Sequence, residues 1–124
     1  MKLYQVRVTP ENITAVRDRI GEDLRACACP GPLASRAMLI FEELFMLIYD
    51  HNPDKTVLAE CAVTYDGTVR LITKDNGRIA DLTDTDRRVS SLRAYTVSSL
   101  LEAHTVSRVH FLALSYNRNT LEVK

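Results

Sequence analysis

The chain has 124 residues, 46% of them hydrophobic, and its 16 Lys plus Arg balance 16 Asp plus Glu to a formal net charge of zero. Residues 1–124 are expected to form a single domain, long enough to bury most of its apolar surface without covalent staples. The charge balance excludes the broad basic footprint that nucleic acid or an anionic membrane surface requires.

In chain order, "KLYQVRV" (residues 2–8) alternates Leu3, Gln5 and Arg7 against Tyr4, Val6 and Val8, the pattern of a half-buried strand. Thr9, Pro10 and Glu11 read as N-cap, first helical position and first-turn acid. Ile13, Val16, Ile20 and Leu24 then follow at helical spacing, so a first helix is expected to run to about Cys27. "CPGP" ends it, and a second helix is expected from between Leu33 and Arg36 to about His51, where Asn52-Pro53 stops it. Its apolar residues occupy nearly every side, as in a central helix covered on several faces. The apolar stretch 37–49 is too short to cross a membrane and carries two acids, and the amino-terminal residues alternate rather than forming a secretory leader.

"TVLAECAVTYDGTVRLITKD" is a hairpin pattern turning at Asp66-Gly67. "NGRIADLTDTDRRVSS" is polar and without period, a loop of a length often used as a lid or binding segment. "SLRAYTVSSLLEAH" reads as a third helix packing Leu92, Tyr95 or Val97, Leu100 and Leu101 inward, with His104 near its C-terminus. The last stretch is expected to hold two strands around a polar turn. The order β-α-α-β-β-loop-α-β-β gives an α+β fold: a two-layer sandwich of a mixed, mostly antiparallel sheet with about three helices on one face.

Three cysteines, two of them at Cys27 and Cys29 and too close for an ordinary bridge, point to a reduced, cytoplasmic setting. Cys27-Ala28-Cys29 offers two thiols to a metal but lacks further ligands at a fitting spacing, so no metal site is assigned. Met38, Met46, Phe41, Phe45 and Tyr49 are explained as core.

The second helix raises a sharper question. "FEELFMLIYDH" sets Glu42 and Glu43 inside an apolar run, and a buried carboxylate costs several kcal/mol unless something pairs with it. Glu43, Leu47 and His51 are four apart and share a helical face; Glu42 lies about 100° round, facing solvent or an arginine of another helix. Taken alone, Glu43 pairing with a base and His51 answering the helix dipole would explain both residues. Asp75-Asn76-Gly77 ends a strand and, by itself, is ordinary turn chemistry.

Together, the Thr-Pro-Glu helix start, the Phe-Glu-Glu-Leu helix and the strand ending in Asp-x-Gly resemble the GHKL, or histidine-kinase-like, ATP-binding fold. Within it the chain is most similar to small bacterial anti-sigma-factor serine kinases, over nearly its whole length. The resemblance implies that Glu43 is the general base or orients the attacking group, and that Glu43, Leu47, His51, Asp75, Gly77 and Thr120 line an ATP or ADP site. Asp75 would accept the adenine amino group, and Thr120 would contact the adenine beside it. The pattern is also broken. Leu47 stands where the family places the Asn that ligates Mg²⁺, and leucine offers no lone pair to a hard cation. Ile79 replaces a second glycine, the phosphate-cradling glycines are missing from "VSSLRAYTVSSL", and Asn119 replaces a glycine before Thr120. Arg87, Arg88 and Arg93 could supply charge near that helix start.

Three readings follow. One is an ATP-binding regulatory domain that phosphorylates a serine or histidine of a protein partner, with residues 78–91 as its lid. Another is a module of the same fold that has lost Mg²⁺-dependent chemistry and acts through protein contacts, a homodimer or a regulator among them. The third is an unrelated α+β domain whose Asp-Asn-Gly turn is coincidental. These losses favour weakened phosphoryl transfer. No nucleic-acid partner and no membrane insertion are expected.

Overall fold

The structure is a computed structural model and describes residues 1–78, 99–111 and 114–123. Its elements are β1 (Lys2–Arg7), α1 (Pro10–Ala26), α2 (Gly31–Asp50), β2 (Leu58–Tyr65), β3 (Val69–Asp75), β4 (Leu101–Phe111) and β5 (Leu114–Val123).

α1 begins as its sequence predicts. Thr9 is the N-cap in extended conformation, its hydroxyl accepting from the Asn12 amide, and Pro10 opens the first turn. The helix closes on Cys27; the Cys29 amide donates back to the Leu24 carbonyl while Ala28 takes a left-handed φ of 63°. α2 starts earlier than expected, at Gly31, with Pro30 as its N-cap. The proline in its first turn lacks only a donor that a helix start does not need, so "CPGP" is a join between two helices rather than a loop.

β2 and β3 pair as a hairpin, Tyr65 opposite Val69, with Gly67 at φ 99° in the turn and the Thr68 amide donating to Asp66 Oδ1. The sheet order is β1-β2-β3-β5-β4. All four pairings are antiparallel, so the described sheet is purely antiparallel rather than mixed. Its two described helices pack on each other and on one sheet face, an α+β arrangement.

The face toward the helices can be read across the register. Tyr4, Cys61, Thr73 and Asn119 form one row, and Val6, Ala59, Asp75 and Asn117 the next. Val63, Leu71 and Leu121 extend the same face toward its apolar end. Phe41 and Phe45 of α2, with ring centroids 4.3 Å apart, fill the space above, together with Ile40, Leu44, Leu47 and Ile48. α1 adds Ile13, Ile20 and Leu24, and Tyr4 donates its hydroxyl proton to Asp23. The opposite face carries Arg70 and Glu122, paired at 2.7 Å, and Lys74, 5.7 Å from the Tyr116 ring centroid.

Two expectations are corrected at the carboxyl end. The third helix was to reach residue 104, but Leu101 begins β4, and His104 sits opposite Leu121 in a strand rather than near a helix terminus. Pairing with β5 satisfies the backbone of these residues, and Leu101 is still buried, on a strand instead of a helix. The rest of that helix, 91–98, the phosphate-cradling segment and most of the 78–91 loop, with Arg87, Arg88 and Arg93, lie outside the described residues. The second correction concerns the polar turn. Residues 115–120 lie inside β5, and the connection falls between the paired Phe111 and Leu114. Polar residues extend there because Asn117 and Asn119 are buried against the sheet's polar end.

Candidate functional site

The inner sheet face is apolar at one end and polar at the other. Leu71 and Leu121 pair across β3 and β5; one step along, Thr73 pairs with Asn119, and then Asp75 with Asn117. These four polar side chains are all buried, Asp75 with 3% of its surface exposed. A carboxylate so placed must be held by donors. Asp75 Oδ1 accepts from the Gly77 amide and from Asn117 Nδ2, each at 2.9 Å, and the same Asn117 amide group donates to the Gly77 carbonyl at 2.9 Å. The Asp-x-Gly turn is therefore closed on itself and clamped from β5.

The carboxyl end of α2 meets this turn. Asn52, also buried, donates from Nδ2 to the Ile48 carbonyl at 2.8 Å and accepts the Arg78 amide on Oδ1 at 2.9 Å. His51 Nδ1 lies 2.9 Å from the Leu47 carbonyl, and the Arg78 guanidinium reaches the His51 carbonyl and Asp54. Asn76 ties the turn to β2, its side chain accepting from the Leu58 amide at 3.0 Å.

The structure thus brings His51, Asp75 and Gly77 together, joined by Asn52 and Arg78. Leu47 lies one turn back on α2, fully inside the core at 1% exposure. Its side chain supplies no oxygen, so α2 does not fit a Mg²⁺ ligand at this position. Glu43 is half-buried, two turns further from the helix end and about 12 Å from His51 along the axis. Glu42 bonds Arg17 of α1 at 2.8 Å, which answers where the first acid of the pair points. The two side chains retain about 30% of their surface, so the pair contributes about 1 kcal/mol or less.

Thr120 is not brought to Asp75. It pairs with Ile72, and alternation puts both on the outer face, opposite to Asp75. Its neighbour Asn119 faces the helices instead.

Asn52, Thr73 and Asn117 of this polar cluster escaped the motif reading, and Asn119 entered it only as a departure before Thr120. A signal for two of them was present, because counting back by twos from Val123 and Leu121 leads to Asn119 and Asn117 on the buried face. One atom in the cluster stands out. Thr73 Oγ1 is buried and makes no hydrogen bond. An orphan hydroxyl beside a held carboxylate fits a site that receives a polar ligand.

A hollow of about 300 Å³ borders Asp75 as well, lined by Glu60, Lys74, Asn76 and Tyr116 among others. Glu60, Lys74 and Tyr116 belong to the outer face, so this hollow opens away from α2. Among the described residues, no group of three or more His, Cys, Asp or Glu side chains could hold a metal ion. No described helix is long and apolar enough to cross a membrane.

No protein-family model and no curated protein sequence matches the chain. Solved structures do. A chain of the SiaB–SiaC complex from Pseudomonas aeruginosa superposes with a TM-score of 0.68 at 10% identity, covering 99% of this chain and 89% of that one. The histidine kinase domain of the Erythrobacter litoralis EL346 blue-light-activated histidine kinase superposes with a TM-score of 0.50 at 13% identity, covering 96% and 67%. At such identities the likeness is one of fold, and it is a histidine-kinase-like fold.

Proposed function

We propose that this chain is a GHKL-type regulatory domain that holds ATP or ADP weakly at the end of β3, is weakened in Mg²⁺-dependent phosphoryl transfer, and acts on or through a protein partner. The observation that carries the reading is the buried Asp75, bonded to Gly77 and Asn117 beneath the end of α2. Within a histidine-kinase-like fold this is an acceptor fixed before a ligand arrives, as recognition of an amino group on a purine requires.

Each residue has a role in this reading. Asp75 accepts the adenine amino group, and Gly77 leaves the turn backbone free of a side chain. His51 and Asn52 hold the turn against α2. Glu43, on the helical face it shares with Leu47 and His51, orients the attacking group or takes its proton. Phosphoryl transfer depends strongly on a metal that neutralises charge developing on the phosphates. Leu47 gives that metal nothing to bind at this position of α2. A protein partner is supported by the likeness to a chain that was solved in complex with SiaC. A second copy of this chain is the other candidate partner.

A second reading, an interaction module of the same fold that takes no nucleotide, is favoured by a specific observation. Asp75 Oδ1 already receives two protein donors, which compete with an adenine amino group.

Calorimetric titration of the pure protein with ADP and ATP, with and without Mg²⁺, separates these readings. Binding of equal strength with and without Mg²⁺ is the expected result. Tight, strictly Mg²⁺-dependent binding overturns the weakened version. Absence of binding leaves the interaction module.

A further inference from the structure

Threonine is an odd choice at position 73. Its row on the inner face holds Tyr4, Cys61 and Asn119, all buried, and its neighbours along that face are Leu71 and Asp75. The side chain is 1% exposed, and its hydroxyl has no hydrogen-bond partner. Valine has the same shape, an equal or better strand preference and no polar atom to strand. Removing an unbonded hydroxyl from such a position would favour the fold. No described residue uses this hydroxyl, which leaves it available to a group from outside the fold.

Its position says what kind of ligand. Thr73 and Asp75 are two residues apart on one strand, so both face the helix layer with Cα atoms about 7 Å apart. The carboxylate of Asp75 only accepts, whereas a hydroxyl can also donate. An acceptor beside a donor is complementary to an edge on which an amino group adjoins a ring nitrogen. Adenine carries that edge. Hypoxanthine, with a carbonyl in place of the amino group, presents an oxygen to Asp75 and is rejected.

We propose that Thr73 is the hydroxyl that meets the base of the bound nucleotide, the contact that the family resemblance placed on Thr120. The inference rests on the nucleotide reading above, but it has its own support. Thr120 and Ile72 share the outer face, whereas Thr73 and Asp75 share the inner one. Asn119 pairs with Thr73 across β3 and β5 and is buried on the same inner face.

The test uses the full chain and three proteins: wild type, Thr73→Val and Thr73→Ser. ADP and inosine diphosphate are titrated calorimetrically into each, and each is melted without ligand. Thr73→Val is expected to bind ADP about tenfold more weakly, the effect of one hydrogen bond, while Thr73→Ser stays within about twofold of wild type. Unliganded Thr73→Val is expected to melt no lower than wild type. Inosine diphosphate is expected to bind wild type more weakly than ADP does.

Three results overturn the inference, and they differ in what else falls. If Thr73→Val binds ADP as wild type does, the inference fails and the nucleotide reading stands. If unliganded Thr73→Val melts several degrees lower, the hydroxyl serves the fold through a buried water and the inference fails again. If wild type takes up no ADP, both fall together.

Discussion

A methyl group added to Gly77 would come within 2.7 Å of Asn52 Nδ2 and 3.0 Å of Val57 Cγ2. Gly77 and Asn52 thus fit the end of β3 to the end of α2 with no room to spare. Asn52 cannot easily swing away, because both ends of its amide are already bonded to backbone, at Ile48 and Arg78.

The first prediction follows from that fit. Gly77→Ala is expected to destabilise the protein by about 1–3 kcal/mol, as overpacking of a buried contact does. Asn52→Ala should itself be destabilising, because it leaves the Arg78 amide without its acceptor. It also opens the space the new methyl needs, so the double variant should lose less than the sum of the two single losses. Urea unfolding of the four proteins measures the coupling. Strict additivity would mean that the two residues do not compete for the same space.

A second prediction concerns the missing oxygen on α2. Leu47→Asn restores a hard ligand at the helical position between Glu43 and His51. The side chain now there is fully buried among apolar residues, so the change is expected to cost about 3 kcal/mol of stability without ligand. If position 47 borders the phosphate end of a nucleotide site, ATP should bind the variant more tightly with Mg²⁺ than without it. A titration that is unchanged by Mg²⁺ would remove Leu47 from that site and leave it as core alone.

The third prediction is a pH dependence. Burial pushes the Cys61 thiol well above its ordinary value of 9.0. Burial, and then the hydrogen bond to Asp23, raise the Tyr4 hydroxyl above its ordinary 10.0. Below pH 9 the folded and unfolded states both hold these protons, and the stability is complete. Above it the unfolded chain releases them and the folded one does not, so stability falls as pH rises. Each group contributes up to about 1.4 kcal/mol per pH unit. Cys61→Ala should flatten the loss between about pH 9 and 10 in denaturant titrations, measured from its own stability at pH 7. The same burial predicts that a thiol reagent at pH 8 modifies the exposed Cys27 in the native protein and reaches Cys61 only after unfolding.

Much of the architecture was legible because its signals are local. Thr9-Pro10-Glu11 opens α1 within a residue of its expected start, and Asp66-Gly67 turns the hairpin where expected. Glu42 was legible too, since the helical period separates it from Glu43 and turns it toward the neighbouring helix, where Arg17 waits. The start of α2 was not, because Pro-Gly-Pro breaks a helix in its interior but is tolerated in its first turn, and only the packing of α2 shows which case applies. β4 was hidden for a related reason. Leu100, Leu101 and His104 are compatible with a helix as well as a strand, and pairing with residues of β5 decided between them.

Periods, caps and turn residues determined by themselves that this chain has an opening strand, two consecutive helices, a hairpin and a polar Asp-Asn-Gly strand end, because each depends on neighbours within a few residues. Only the tertiary structure decided the order β1-β2-β3-β5-β4 and, with it, which residues meet. Strand register is a relation between distant segments, and a shift of one residue exchanges the two faces of a strand. That relation sends Thr120 to the outer face and gathers Thr73, Asp75, Asn117 and Asn119 on the inner one. Alternation along one strand puts Asn117 and Asn119 on the face of Leu121 and Val123, but which polar residues of other strands meet them there depends on register and on what covers that face.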